Sequence, residues 1–488
     1  LPGNESDLAI SKDGETFYFV SNRNSNQSFK AEQDLHSVKW DGTKMEAITQ
    51  GNARPYAVSI DPDGKFLYLF KPRGRFSRIN IKTSKEERLP YAAEMKIDYP
   101  TERKQIFEEA WRTLNNGFYD PAFHGKDWDA LKKKYEPWAI KASTQDDFRY
   151  IFNFMLGELN SSHQGMYGSD RAETQKETTG LLGIEVVPED DGIKVTHVIP
   201  GSPADRVESK LNAGDIINAI DGNKIDENTN YNALLINKNN KRTLLSVTDK
   251  NGKSNEVVIR PASSLRSELY EEWVEEHRKL TDKYSNGRLG YIHIQGMNWS
   301  SFERFERELT ASGLGKEGLV IDVRYNGGGW TTDYLMTVLT YRQHAYTIPR
   351  GAAKNLNKEQ KKFVDYYPLG ERLPFAAWTK PSVAMCNANS YSNAEIFSHA
   401  YKTLGIGKLV GEPTFGAVIS TGGRGLIDGS FVRLPFRGWY VKATEKNMEW
   451  GPAVPDVIVK QAPDARAKGE DQQLKTAVNV LLKQMDTK

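Results

Sequence analysis

The 488 residues carry 66 basic and 64 acidic side chains, and a net charge of +2 gives no global field for nucleic acid or acidic membranes. Hydrophobic residues make up 38%, and no run approaches the ~18 apolar residues of a membrane helix, so a soluble chain of several globular domains without membrane insertion is expected. The lone cysteine, Cys386, excludes an internal disulfide framework and a cysteine-based zinc site.

The chain opens Leu1-Pro2-Gly3-Asn4, with neither an initiator Met nor a signal-peptide pattern. A natural N-terminus further upstream is therefore expected, and a cytoplasmic and a periplasmic location both stay open. Residues 1–92 hold a weak repeat. Ala9-Ile10-Ser11, Asp13-Gly14 and Phe17-Tyr18-Phe19 return fifty residues later as Ala57-Val58-Ser59, Asp63-Gly64 and Phe66-Leu67-Tyr68-Leu69. Each copy reads as strand, tight turn, strand, with further strands at Asp34–Val38 and Ser77–Ile81. A period near fifty with about four short strands suggests propeller blades, and two blades suggest a truncated ring; an ordinary β-meander is the alternative.

Residues 95–160 turn helical. Ile106, Phe107, Ala110, Trp111 and Leu114 share one face, a second helix runs from Asp127-Trp128 to Tyr135, and a third carries Phe148 to Leu159 behind a Thr144/Asp147 cap. The third helix delivers Asn160-Ser161-Ser162-His163 into a loop. Between 176 and 262 short strands surround Gly201-Ser202-Pro203-Ala204-Asp205 and Leu211 to Gly222. These phrases resemble a PDZ domain of the bacterial protease type. In such a domain Leu181, Leu182, Gly183 and Ile184 would form the loop that receives a peptide carboxylate.

A long helix near 264–280 leads into alternating strands and helices: Tyr291–Ile294, Leu319–Val323 with the turn Asn326-Gly327-Gly328-Gly329, and Ser382–Cys386 before a helix bearing Ile396, Phe397, Ala400 and Tyr401. This pattern predicts a largely parallel α/β sheet, whose strand C-termini bind ligands. The glycine turn and Ser392 both fall there. Ser390 and Ser392 can be mere turn and cap residues, but a serine at a helix N-terminus also sits where an oxyanion is favoured.

A serine nucleophile needs a base. Serine–lysine proteases with a PDZ domain carry a lysine about 25 residues after the serine, and here that place holds Ala417. A histidine must serve. His399 is roughly 10 Å along the serine's own helix, His293 reads as a packed strand residue, and His36, His124, His197, His277 and His344 have no motif around them. His163 follows Ser162 in a polar loop and stands out. No metal-ligand motif and no phosphate loop is present, so neither metal nor cofactor is expected.

Taken together, Ser162-His163, the PDZ phrases, the glycine turn and Ser392-Asn393 resemble the tricorn branch of the tail-specific serine protease family. That resemblance implies a multidomain α+β protein. It would comprise a partial β-propeller-like segment (1–92), a helical domain carrying Ser-His (93–172), a PDZ-like domain (173–263) and an α/β catalytic domain of crotonase/ClpP-like type (264–488). It implies Ser392 as nucleophile, His163 as base, Ser162 bound to the imidazole and Glu449 orienting Ser162, with Glu445 as fallback because the phrase around Glu449 matches loosely. Backbone N–H groups of Asn393 and Gly328, or Gly327, would form the oxyanion hole. Peptides or unfolded proteins are the implied substrates, and a homo-oligomer the implied assembly. A catalytically inactive peptide-binding scaffold and a serine esterase or amidase are the rival readings.

Overall fold

The computed structural model describes residues 4–22, 32–168, 174–342, 347–348, 350–363 and 376–487; Leu1 to Gly3 and His344 lie outside the described residues. The chain divides into two compact units between Asp98 and Tyr99.

The first unit holds two antiparallel four-stranded sheets. One consists of Glu5–Ile10, Thr16–Ser21, Asp34–Lys39 and Glu46–Ala47, the other of Tyr56–Ile60, Phe66–Lys71, Arg75–Asn80 and Glu86–Arg88, each in sequence order. The repeated Asp-Gly turns sit where expected, with Gly14 at φ 75° and Gly64 at φ 71°, conformations that favour glycine. Ala9, Tyr18, Val20 and Leu35 from one sheet and Leu67, Leu69 and Ile79 from the other make one buried cluster. No sheet closes into a ring among the described residues.

The second unit begins with the helices Tyr99–Gly117, Trp128–Ile140 and Gln145–Gly157. Asp127 caps the second through Ala130 N (2.8 Å) and Thr144 caps the third through Asp147 N (3.0 Å). Their buried faces are completed by Leu426 and Val432, which lie nearly three hundred residues further on. Those residues belong to a hairpin, Ile419–Gly425 with Phe431–Gly438, whose second strand pairs with Gly165–Tyr167. The strand that starts just after His163 is thereby tied to a hairpin from the far end of the chain.

Next comes a sheet in the order Ile184–Glu189, Gly192–Val198, Ile216–Ile220, Thr243–Thr248 and Ser254–Ile259, wrapped around its own apolar core. The helix Arg266–Ser285 then leads to a parallel sheet of Leu289–His293, Gly318–Asp322, Ser382–Cys386, Lys408–Gly411 and Val457–Ile458. The first three of these strands are buried throughout, as expected when helices cover both faces. Strand order follows sequence order, and right-handed crossovers then put the connecting helices on one face. Trp299–Ala311, Thr332–Leu339 and Asn393–Thr403 contribute Phe302, Phe305, Leu335 and Phe397 to the core there. Val274 of Arg266–Ser285 and Leu474, Val478 and Leu481 of the last helix, Gln472–Asp486, pack on the other face. Among the described residues no helix is long and apolar enough to cross a membrane.

Candidate active site

Two loops at the C-terminal ends of adjacent parallel strands are laced together. After Gly318–Asp322, Arg324 is only 3% exposed and held by two buried carboxylates, Asp322 Oδ2 at 2.7 Å and Asp471 Oδ2 at 2.9 Å. The chain then turns through Tyr325, at φ 61°, into the glycine run. Asn326 fixes that run: its Nδ2 donates to Ile294 O (2.7 Å) and its carbonyl accepts from Tyr391 N (2.9 Å). After Ser382–Cys386, the fully buried Ser390 donates to Val323 O (2.9 Å) and accepts from Asn387 N (3.1 Å). Of the two serines singled out in the sequence, Ser390 is therefore the one that braces loop to loop.

Ser392 stands at the start of Asn393–Thr403 with φ 57° and ψ −118°, a region that L-residues rarely occupy. Its N–H donates to Glu395 Oε1 (3.0 Å). Glu395 is buried and its carboxylate also accepts from Thr414 Oγ1 (2.7 Å), Gly416 N and Ala417 N (2.9 Å). Burial pushes the Glu395 carboxyl above its ordinary range against these donors. Ala417, at the place where serine–lysine relatives keep a lysine, thus serves this carboxylate through its backbone.

Three distant segments converge on the Ser392 hydroxyl. His163 Nε2 is 2.8 Å from Ser392 Oγ, across 229 residues of chain. His163 Nδ1 is 2.7 Å from Ser162 Oγ. Glu449, 3% exposed, accepts from Ser162 N (2.7 Å, Oε1) and from Ser162 Oγ (2.9 Å, Oε2). The Ser162 hydroxyl has one hydrogen, and a carboxylate can only accept, so that hydrogen goes to Glu449 and Oγ accepts from Nδ1–H. This fixes the imidazole with its Nε2 lone pair facing Ser392. Burial, with the charge of Arg433 adding to it, pulls His163 from its ordinary 6.5 down to about 4, so the ring is neutral near pH 7. The Tyr391 ring stacks on the imidazole (centroids 4.9 Å apart, 15° between planes) with its hydroxyl 3.2 Å from Nδ1. His163 and Trp450 join Ser392 in left-handed backbone conformations, a concentration of strain around one site. Such a line can move a proton from a serine hydroxyl to Nε2 and back.

The fallback carboxylate, Glu445, is exposed in a turn closed by its N–H to Val441 O (2.7 Å) and stands apart from this line. Among the backbone donors, Asn393 N and Gly327 N make no hydrogen bond among the described residues, whereas Gly328 N donates to Asn326 Oδ1 (2.9 Å). Gly328 packs directly on the site: a Cβ there would lie 2.7 Å from Ser392 Cβ and 2.9 Å from Asn393 N. The Asn393 side chain is buried and binds Thr332 N (3.0 Å) and Thr332 Oγ1 (3.0 Å), so it braces the neighbouring helix. In the loop 181–184, Leu181 exchanges both backbone bonds with Ala262, while Leu182 N and Gly183 N make none among the described residues.

The remaining described histidines have other partners. His293 is buried between Tyr270 Oη (2.9 Å) and Arg324 O (2.9 Å), His277 meets Asp471 (3.1 Å), and His399 meets Gly451 O (3.0 Å). His197 contacts Glu272 (2.6 Å), and His36 stacks on Phe19. His124 bridges Tyr119 Oη (2.6 Å) and Leu159 O (2.8 Å) while its ring packs on Trp450, which secures the loops on either side of Ser162 and Glu449. No motif flagged that bridge, nor the stacking of Tyr391; both arise from long-range packing. No group of three or more metal-ligating side chains occurs among the described residues.

Comparison with known proteins adds the lineage. Residues 288–459 match the model of peptidase family S41, residues 99–157 that of the tricorn protease C1 domain, and residues 180–259 that of the PDZ domain. The three matched segments are together similar to the tricorn proteases, with the S41 match on the segment that holds Ser392 and Glu449. A tricorn-like protease C-terminal subunit of Sulfurisphaera tokodaii is 30% identical over 466 residues, covering 91% of this chain and 52% of its own length. A tricorn protease homolog of Saccharolobus solfataricus is 28% identical over 462 residues, covering 91% of this chain and 41% of its own. The chain therefore spans about half the length of the relatives it matches, or less. The crystal structure of the tricorn protease shares the fold, with a TM-score of 0.83 over 99% of this chain and 47% of that one, at 21% identity.

Proposed function

We propose that this protein is a serine peptidase of the tricorn-like S41 type that hydrolyses oligopeptides or unfolded polypeptides through an acyl-enzyme. The observation that carries the reading is the hydrogen-bonded line Ser392–His163–Ser162–Glu449, assembled from three distant segments. Ser392 Oγ attacks the peptide carbonyl carbon while its proton passes to His163 Nε2. Collapse of the tetrahedral intermediate breaks the C–N bond, and Nε2 hands the proton to the leaving amine. Water then repeats the sequence on the ester, losing a proton to Nε2, and Ser392 recovers it as the carboxylic acid departs. Ser162 and Glu449 hold the imidazole tautomer and offset the charge that Nε2 gains. Asn393 N–H supplies one oxyanion donor. The second comes from the glycine turn, and the uncommitted Gly327 N–H suits the task better than Gly328 N–H, which Asn326 already engages.

The PDZ-like segment would hold peptide ends at the free Leu182 and Gly183 N–H groups, with Ile184 opening the receiving strand edge. The two meanders of residues 1–92 read as a partial propeller, followed by a helical segment (93–172), the PDZ-like segment (173–263) and the catalytic segment (264–488). A homo-oligomer is the working form proposed with this reading. The test is cleavage of quenched-fluorescent peptides by the wild type and by Ser392→Ala and His163→Ala. Turnover abolished in both variants, with folding intact, is expected. Wild-type protein without turnover, or turnover surviving Ser392→Ala, would overturn the reading.

A further inference from the structure

The line of four residues leaves one strong charge unused. Arg433 lies on Phe431–Gly438 opposite Gly165, two residues after His163. Its Nε donates to Thr421 Oγ1 (2.9 Å), and Thr421 Oγ1 in turn donates to the carbonyl of His163 (3.3 Å). The guanidinium is thus anchored by one nitrogen to the segment that carries the imidazole. Its two terminal nitrogens make no hydrogen bond, and no carboxylate pairs with it, among the described residues. They are not sealed in the interior either, since no buried unpartnered nitrogen of Arg433 occurs. Glu449, the carboxylate at the end of the line, is committed to Ser162 through both oxygens.

An unpaired cation here works against the chemistry proposed above. His163 must become an imidazolium as Ser392 attacks, and a fixed positive charge nearby opposes that; the same charge already helps hold the resting imidazole low. A base so placed gains if an anion covers the guanidinium when substrate is bound. The planar fork of an arginine matches a carboxylate, which it can take up by two parallel hydrogen bonds.

We propose that Arg433 is a specificity-determining residue that receives a carboxylate of the substrate beside His163, so that anionic peptides are bound and also activate the base. This inference rests on the peptidase reading. The carboxylate can be that of the peptide C-terminus or of a Glu or Asp side chain near the cleaved bond. Both present the same group to the fork, and the assay separates them.

The experiment compares kcat/KM for matched quenched-fluorescent peptides: free C-terminal acid against amide, and Glu against Gln at each position flanking the cleaved bond. Wild type, Arg433→Gln and Arg433→Lys are measured, with thermal melting to confirm folding. One of the two carboxylate sources should raise wild-type kcat/KM roughly 10- to 100-fold over its neutral partner, the range for hydrogen bonds to charged groups. Arg433→Gln should erase that preference and Arg433→Lys should restore part of it. With a neutral peptide, Arg433→Gln should also move the acid limb of kcat/KM to higher pH, because the cation opposing protonation is gone. A merely structural arginine would not move that limb. Equal wild-type rates on acidic and neutral peptides overturn the inference without any variant, and so does a preference that survives Arg433→Gln. In either case, wild type that is still labelled at Ser392 by a fluorophosphonate leaves the peptidase reading intact. Wild type that is neither labelled nor active overturns both.

Discussion

Glu449→Gln is the substitution that best separates orientation from mere packing. In the wild type Glu449 accepts twice from Ser162, at 2.7 Å from the N–H and 2.9 Å from the hydroxyl. A glutamine of the same shape keeps its carbonyl on the Ser162 N–H and presents its NH₂ to Ser162 Oγ. The Ser162 hydrogen must then point the other way, to His163 Nδ1, 2.7 Å off. That selects the tautomer with hydrogen on Nε2, which faces Ser392 Oγ and cannot take its proton. A wrong-tautomer substitution in a Ser-His-Asp triad costs about 10⁴ in kcat, or about 5.5 kcal/mol of transition-state stabilisation. We expect a similar fall here with KM little changed. Glu449→Ala, which offers no donor to reverse Ser162, should lose less than Glu449→Gln. The assay is kcat on a quenched peptide beside the rate of fluorophosphonate labelling, with ¹⁵N chemical shifts of the His163 ring to report the tautomer. Glu449→Gln within about tenfold of wild type, or more active than Glu449→Ala, would refute the direction assigned to the Ser162 hydrogen bonds.

Three further outcomes follow from the same geometry. The base must be unprotonated, so activity falls as pH drops through the His163 pKa. With that pKa near 4, the acid limb of kcat/KM should lie well below the 6.5 of an ordinary histidine, and half-loss at 6.5 or above would contradict the environment described. Gly328→Ala forces a Cβ to within 2.7 Å of Ser392 Cβ and of Tyr391 O at φ 91°, so labelling should slow by at least about 10²-fold and stability should fall by about 1–3 kcal/mol; wild-type labelling would refute that packing. Arg324→Met leaves Asp322 and Asp471 buried without their cation, a loss of about 3–5 kcal/mol measurable by urea unfolding, whereas a change under about 1 kcal/mol would show the cluster to be relaxed by other groups.

Local chemistry made much of this legible in advance. Apolar spacing gave the helices around Phe107, Phe152 and Phe397, Asp-Gly pairs gave the meander turns, and short phrases singled out Ser392, His163 and Ser162. Glu449 was harder, because the phrase around it is offset by one position, and only its burial against Ser162 separates it from the exposed Glu445. Periodicity is blind to pairing across distance. The hairpin 419–438 carries Gly422, Gly423 and Gly425, which break its alternation, yet it completes the helical core and pairs with Gly165–Tyr167. Arg433 came with that hairpin and was invisible for the same reason. The engagement of Gly328 N by the Asn326 side chain was equally hidden, since a run of glycines does not say which N–H its neighbours consume. Ser390 and Ser392 look alike as turn residues; only tertiary contacts divide the serine that braces Val323 from the one whose hydroxyl meets His163.

The central claim is that Ser392 is activated by His163, and labelling the purified chain with a fluorophosphonate, followed by mass spectrometry of the digested adduct, tests it most directly. The account predicts one adduct, on Ser392, absent from both Ser392→Ala and His163→Ala. An adduct on another serine, or labelling of Ser392 that persists in His163→Ala, would contradict it.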